Sequence, residues 1–175
     1  MFCFWRFNGF GYMPRCKRKV NMSASTLKIW QRMASMPGGK WAFSKVVCHK
    51  APYFSSINPV FEELAPGICK IGIRKRRAVL NHLGTVHAIA MCNMAELAGG
   101  TMTEVTVPAS HRWIPKEMTV KYLKKATTDL VATATPVSKA DWSEAGEYKV
   151  QVDVCDLKNE LVFQALISMW VSPKK

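Results

Sequence analysis

From Gly146 to Asp156 the chain alternates. Tyr148, Val150, Val152 and Val154 fall between polar neighbours, the two-residue period of a strand with one buried face. Asp156-Leu157-Lys158-Asn159 reads as a turn, so 146–171 forms a hairpin. Weaker strand patterns lie at 100–107 (GTMTEVTV), 117–126 and 129–136, with one strand or hairpin from Gly67 through Ile68, Ile71 and Ile73. Three-residue spacing takes over elsewhere. Leu27, Trp30, Met33 and Met36 predict a helix that Ser23 or Ser25 can cap and Pro37-Gly38-Gly39 ends. A shorter amphipathic piece covers 41–47, and APYFSSINP is a loop. Between the strand patterns, about 85–98, lies a helix of apolar and small residues: Val86, Ile89, Met91, Met94 and Leu97 with Ala88, Ala90, Ala95 and Ala98.

The order is therefore lead-in helices, a strand or hairpin, one buried helix, then a long antiparallel run. There is no βαβ alternation, GxGxxG or P-loop, which makes the class α+β. One helix against one antiparallel sheet buries itself by being wrapped, and small residues let strands approach. At 175 residues, 49% of them hydrophobic, the chain has the size and content of one globular domain. No run reaches the roughly 18 apolar residues of a membrane span.

The net charge of +13 suggests nucleic acid until its distribution is read. Residues 1–61 hold ten Lys or Arg and no acid, leaving fifteen basic against twelve acidic residues beyond them. The excess lies in the N-terminal third, outside the segment with the buried helix. Clusters at 15–19 (RCKRK) and 74–77 (RKRR) lack the aromatic interleaving of a single-strand platform. Residues 1–22 are expected to form a disordered basic extension, and 23–175 a single domain. The expected location is the cytoplasm, with organelle import through the extension as the alternative. Six scattered cysteines without a CxxC pair fit a reducing compartment and suggest no disulfide framework. His49, His82, His87 and His111 lack metal-ligand spacing, and no metal or cofactor is expected.

The chemistry concentrates around the central helix. Glu96 falls among its alanines, and Asn81, His82, Thr85 and His87 crowd its entrance. The pattern Asn81, Gly84, Thr85, His87, Ala88, Ala95, Glu96, Ala98 resembles the signature of hotdog-fold acyl-CoA thioesterases of the phenylacetate-pathway type. Residues 112–126, with Met118, Val120, Tyr122 and Ala126, resemble that family's second marker. The lead-in is similar to that of a bacterial and fungal branch of hotdog proteins of unknown function. The resemblance spans about 25–172. It implies a long helix wrapped by an antiparallel sheet, a dimer or tetramer, and thioester hydrolysis.

Hydrolysis needs an activated water and donors aimed at the developing oxyanion. Glu96 is the candidate general base, buried in a closely packed helix. The helix N-terminus, through the Ala88 N–H with Asn81 beside it, is the candidate donor set. Asn81 is equally a candidate cap or turn residue. His87, Gly84 and Thr85 are candidates for positioning substrate. Lys124 and Lys125, with Arg74–Arg77, are candidates for the phosphates of coenzyme A. Ala88 and Glu96 are eight residues apart, about 12 Å along a helix. One carbonyl cannot meet both in one chain, so the expected site is shared by two antiparallel helices across a two-fold axis.

Two departures from the pattern matter. Ala88-Ile89 stands where the family commonly has two glycines. Pro115 stands where some relatives hold the water with a hydroxyl, which Thr101, Thr103 or Thr119 would have to replace. The Ala88-Ile89 departure motivates the rival reading, a hotdog module that binds acyl-CoA or acyl-carrier protein without turnover. A hydratase of the same fold finds no matching pattern, and a nucleic-acid binder lacks a focused charge.

Overall fold

The structure is a computed structural model, described for residues 22–139 and 141–174, with side chains from Thr26 onward. Residues 1–21, including the basic cluster at 15–19, lie outside that description, and Ser23 and Ser25, expected as caps of the first helix, fall inside that helix. Helix α1 (Met22–Ala34) and α2 (Gly39–Lys50) lead in, followed by a 3-10 segment at Pro52–Ile57. Strands β1 (Val60–Ala65) and β2 (Ile68–Ile73) form a hairpin, and α3 (Ala88–Thr106) follows. Then come β3 (His111–Tyr122), β4 (Leu130–Pro136), β5 (Gly146–Asp156) and β6 (Leu161–Pro173). The six strands form one sheet in the order β1-β2-β4-β5-β6-β3, every pair antiparallel. This is the wrapped-helix architecture that the alternation and the small-residue helix predict, and the hotdog fold that the resemblance implies.

The strand patterns explain the wrap. Val150, Val152 and Val154 on β5 and Phe163, Ala165, Ile167 and Met169 on β6 are buried. They receive Ala95, Ala98 and Met102 of α3, which are also buried. At Gly99 an added Cβ would stand 2.9 Å from Ile167 Cδ1, so the helix lies as near the sheet as its backbone allows. The predicted turn at 156–159 is present: Asp156 Oδ1 accepts the N–H groups of Lys158 and Glu160, each at 2.9 Å.

Three predicted boundaries are corrected. The segment 100–107, read as a strand, is the last part of α3. Its Thr and Val favour strands, but Met102 and Val105 are buried at helical spacing, and burial outweighs local propensity. Thr103 and Thr106 adapt by donating their hydroxyls to the carbonyls of Gly99 (2.8 Å) and Met102 (2.6 Å). The helix stops at Val107, before Pro108. Its start moves too, from about 85 to Ala88, because 81–85 is a closed turn. Strand β3 begins earlier than expected, at His111, and runs through Pro115 with a register shift before Glu117. An edge strand tolerates that proline, since β3 is paired only to β6.

The lead-in helices are anchored by aromatic rings. Trp30 and Phe43 lie 5.1 Å apart edge-on, and Phe43 meets Phe61 of β1 at 5.1 Å. Ser44 Oγ accepts the Phe61 N–H at 2.9 Å, tying α2 to the first strand. No helix among the described residues is long and apolar enough to cross a membrane.

Candidate active site

The mouth of α3 is a ring of local hydrogen bonds. Asn81 Oδ1 accepts from the N–H groups of Leu83 (2.9 Å) and Thr85 (3.1 Å), and Asn81 Nδ2 donates to Thr85 Oγ1 at 2.8 Å. The Asn81 N–H reaches the Thr85 carbonyl, and the Gly84 N–H reaches the Asn81 carbonyl. Gly84 has φ +72°, the left-handed conformation that glycine adopts without cost. Asn81 thus organises the turn, and one hydrogen of its amide is left over from this ring. Gly84 and Thr85 are parts of the turn itself.

His87 is the N-cap of α3. Its Nδ1 accepts the Ile89 N–H at 3.1 Å, so the ring proton of the neutral imidazole sits on Nε2. The N–H groups of Ala90 and Met91 close on the His87 carbonyl. Within the first turn of the helix, only the Ala88 N–H lacks an acceptor among the described residues. An unpaired N–H at the positive end of a 19-residue helix is an anion-seeking donor. Ile89 is 54% exposed beside it.

Glu96 is not buried in the single chain; it is exposed. The expectation failed because the sheet covers the faces of α3 bearing Met94, Ala95 and Ala98. Glu96 shares the remaining stripe with Ile89 and Cys92, at helical positions i, i+3 and i+7. Between Ile89 and Glu96, Cys92 Sγ and Tyr122 Oη share a hydrogen bond at 3.2 Å. That bond, and then partial burial, push the Tyr122 hydroxyl up to about 12, so it remains protonated at neutral pH.

Sequence reasoning missed a cavity of about 330 Å3 between α1, α2 and the open face of α3. Glu96, Leu97, Gly100, Thr101 and Glu104 line it from α3, and Trp113 and Pro115 from β3. Its walls come from six separate segments, which no spacing rule connects. Of the three threonines considered as replacements at the Pro115 position, Thr101 alone borders this cavity with Glu96. Thr103 is bonded back to its own helix, and Thr119 Oγ1 donates to Glu117 Oε1 at 3.2 Å.

The backbone brings some of the basic candidates toward the mouth. The Val86 N–H donates to the Ala126 carbonyl at 2.9 Å, which sets the segment carrying Lys124 and Lys125 beside the start of α3. Lys125 is exposed, and Lys124 pairs with Glu160 at 3.3 Å. The His87 N–H reaches the Val79 carbonyl at 2.8 Å, bringing Arg77 to the same end. Arg76 is drawn elsewhere, its Nη2 donating to the Ser56 carbonyl at 2.6 Å.

Comparison with known proteins places the chain in a family and a fold. The sequence pattern of a family described only as a domain of unknown function, DUF4442, matches residues 39–171. A crystal structure from structural genomics, with no stated activity, is 47% identical, covers 85% of this chain and 98% of its own, and superposes with a TM-score of 0.75. A thioesterase from Haemophilus influenzae (13% identical, 73% and 87% covered, TM-score 0.65) shares the fold. So does a thioesterase family protein from Silicibacter pomeroyi (14%, 77% and 99%, TM-score 0.64). No curated protein matches the chain.

Proposed function

We propose, from the premise that the chain belongs to the DUF4442 family and wraps its helix in a hotdog sheet, that it hydrolyses the thioester of an acyl-coenzyme A. The observation that carries the reading is on α3: an unpaired Ala88 N–H at its start and Glu96 on its uncovered stripe. The eight residues between them amount to about 12 Å, so the reading requires two chains. In a two-fold dimer with antiparallel α3 helices, the mouth of one chain meets Glu96 of the other. Strand β3 supports this geometry, since it leaves a twelve-residue edge unpaired in the chain.

In each shared site the Glu96 carboxylate takes a proton from water as the water oxygen bonds to the thioester carbon. The carbonyl oxygen becomes an oxyanion, which the Ala88 N–H and the helix dipole stabilise. The C–S bond then breaks, the acyl group leaves as the free acid, and the proton held by Glu96 passes to the coenzyme A sulfur. His87 holds the mouth as cap while its Nε2–H faces outward, and Asn81 keeps the turn in place. Lys125 and Arg77 are set to meet phosphate at the same end.

The test is thiol release from acyl-CoAs by the wild type and Glu96→Gln. A loss of turnover of about 10²-fold or more is expected, the scale of a removed general base, with the oligomer intact. Unchanged turnover in the variant would remove Glu96 from the chemistry.

One observation favours a second reading, a binding module without turnover. His87 occupies the Ile89 N–H, so the mouth offers one N–H where the thioesterase pattern has two glycines. Retention of intact acyl-CoA with no thiol release would establish that reading.

A further inference from the structure

The chemistry at the mouth leaves the cavity under the lead-in helices without a role. It is long in the direction of α3. Glu96 and Glu104 both border it, two turns apart, about 12 Å along the axis. Its walls are hydrocarbon: Ile29 of α1, Val47 of α2, Phe54, Leu97, and Met169 of β6. Beyond them stands Trp113. An added Cβ at Gly100 would sit 3.3 Å from the indole, so the glycine lets the ring come close to the helix. Trp113 Nε1–H donates to Glu104 Oε2 at 2.8 Å, which fixes the ring and occupies the acid. A slot with a carboxylate at one end, apolar sides and a pinned indole at the other is shaped for an elongated apolar group.

We infer that this cavity takes the unbranched aliphatic tail of the acyl group, with the carbonyl at Glu96 and the tail running under α1 and α2 toward Trp113. This rests on the hydrolase reading for the identity of the group, not for the existence of the pocket. The cavity runs about 12 Å from Glu96 to Glu104, a length that suits a tail on the order of ten carbons. Each methylene removed from water favours binding by about four-fold, so the pocket selects by length. Val47 of α2 and Ile29 of α1 both line it, and a larger side chain at either narrows it.

The experiment has two arms. The first measures thiol release from saturated acyl-CoAs of four to sixteen carbons, and from phenylacetyl-CoA, by the wild type and Val47→Phe. The second titrates decanoic acid calorimetrically into the same proteins, with melting temperature and oligomeric state as controls. The expected kcat/KM climbs to a maximum near ten carbons, and Val47→Phe lowers the decanoyl-to-butyryl ratio at least ten-fold and weakens decanoate binding. If Val47→Phe fails to fold, Ile29→Phe narrows the same slot from α1. A flat length profile, a preference for phenylacetyl-CoA, or variants without effect would overturn the tail pocket while leaving hydrolysis standing. Decanoate binding that is lost in Val47→Phe, with no thiol released from any substrate, would support the pocket and remove the hydrolase.

Discussion

At its start, α3 is held by the turn Asn81 to His87, in which the side chains of Asn81 and His87 bond the backbone a few positions away. Toward its end, from Gly100 to Thr106, it is held by burial of Met102 and Val105 and by the indole of Trp113. The first region is polar, local and nearly complete in its own sequence. The second is apolar and assembled from distant segments. The difference separates two jobs: the mouth fixes where a carbonyl oxygen can be stabilised, and the far region fixes what shape of tail can follow it. Substitutions at the mouth should therefore lower turnover on every substrate. Substitutions around the slot should alter only the ranking among substrates.

The sharpest way to break that comparison is Ala88→Pro. Ala88 is the first residue of the helix, the position at which proline is readily accepted. His87, at φ −64° and ψ 140°, already has the extended conformation that precedes a proline. The substitution removes the one unpaired N–H and leaves the helix. A fall in kcat of about 10²–10³-fold is expected at all chain lengths, the scale of a lost oxyanion donor. A drop confined to long acyl chains would place the oxyanion site elsewhere.

Asn81→Ala should act less on rate and more on stability. It deletes three side-chain hydrogen bonds of the turn, and about 1–3 kcal/mol of stability should go with them by denaturant titration. Turnover should fall no more than about ten-fold, because in this account the amide positions the mouth without itself receiving charge. A loss as large as that of Glu96→Gln, with stability intact, would instead make Asn81 a direct contact to the substrate.

The same contrast decides what was legible in the sequence. The Asp156 turn and the β5 alternation depend on near neighbours, and each was readable from residue type and spacing; the mouth was legible through its resemblance, with the helix start placed too early. The end of α3 was not: Thr101, Thr103, Val105 and Thr106 favour a strand, and only packing against β5 and β6 makes them helical. The slot was illegible for a related reason, since Ile29, Val47, Leu97, Trp113 and Met169 come from five different elements. Glu96 was misjudged on burial because an alanine-rich helix implies cover all round. In the single chain the sheet leaves one stripe open.

That open stripe is where the central claim, a site shared by two chains, can be tested most directly. Glu96→Gln and Ala88→Pro are each expected to be nearly inactive alone. Co-expressed in equal amounts with different tags, they form mixed dimers in which one of the two sites pairs an intact Glu96 with an intact mouth. Random pairing makes half the dimers mixed, so about a quarter of wild-type activity should return. A co-expressed pair no more active than either variant alone, with mixed dimers recovered through both tags, would contradict the shared site.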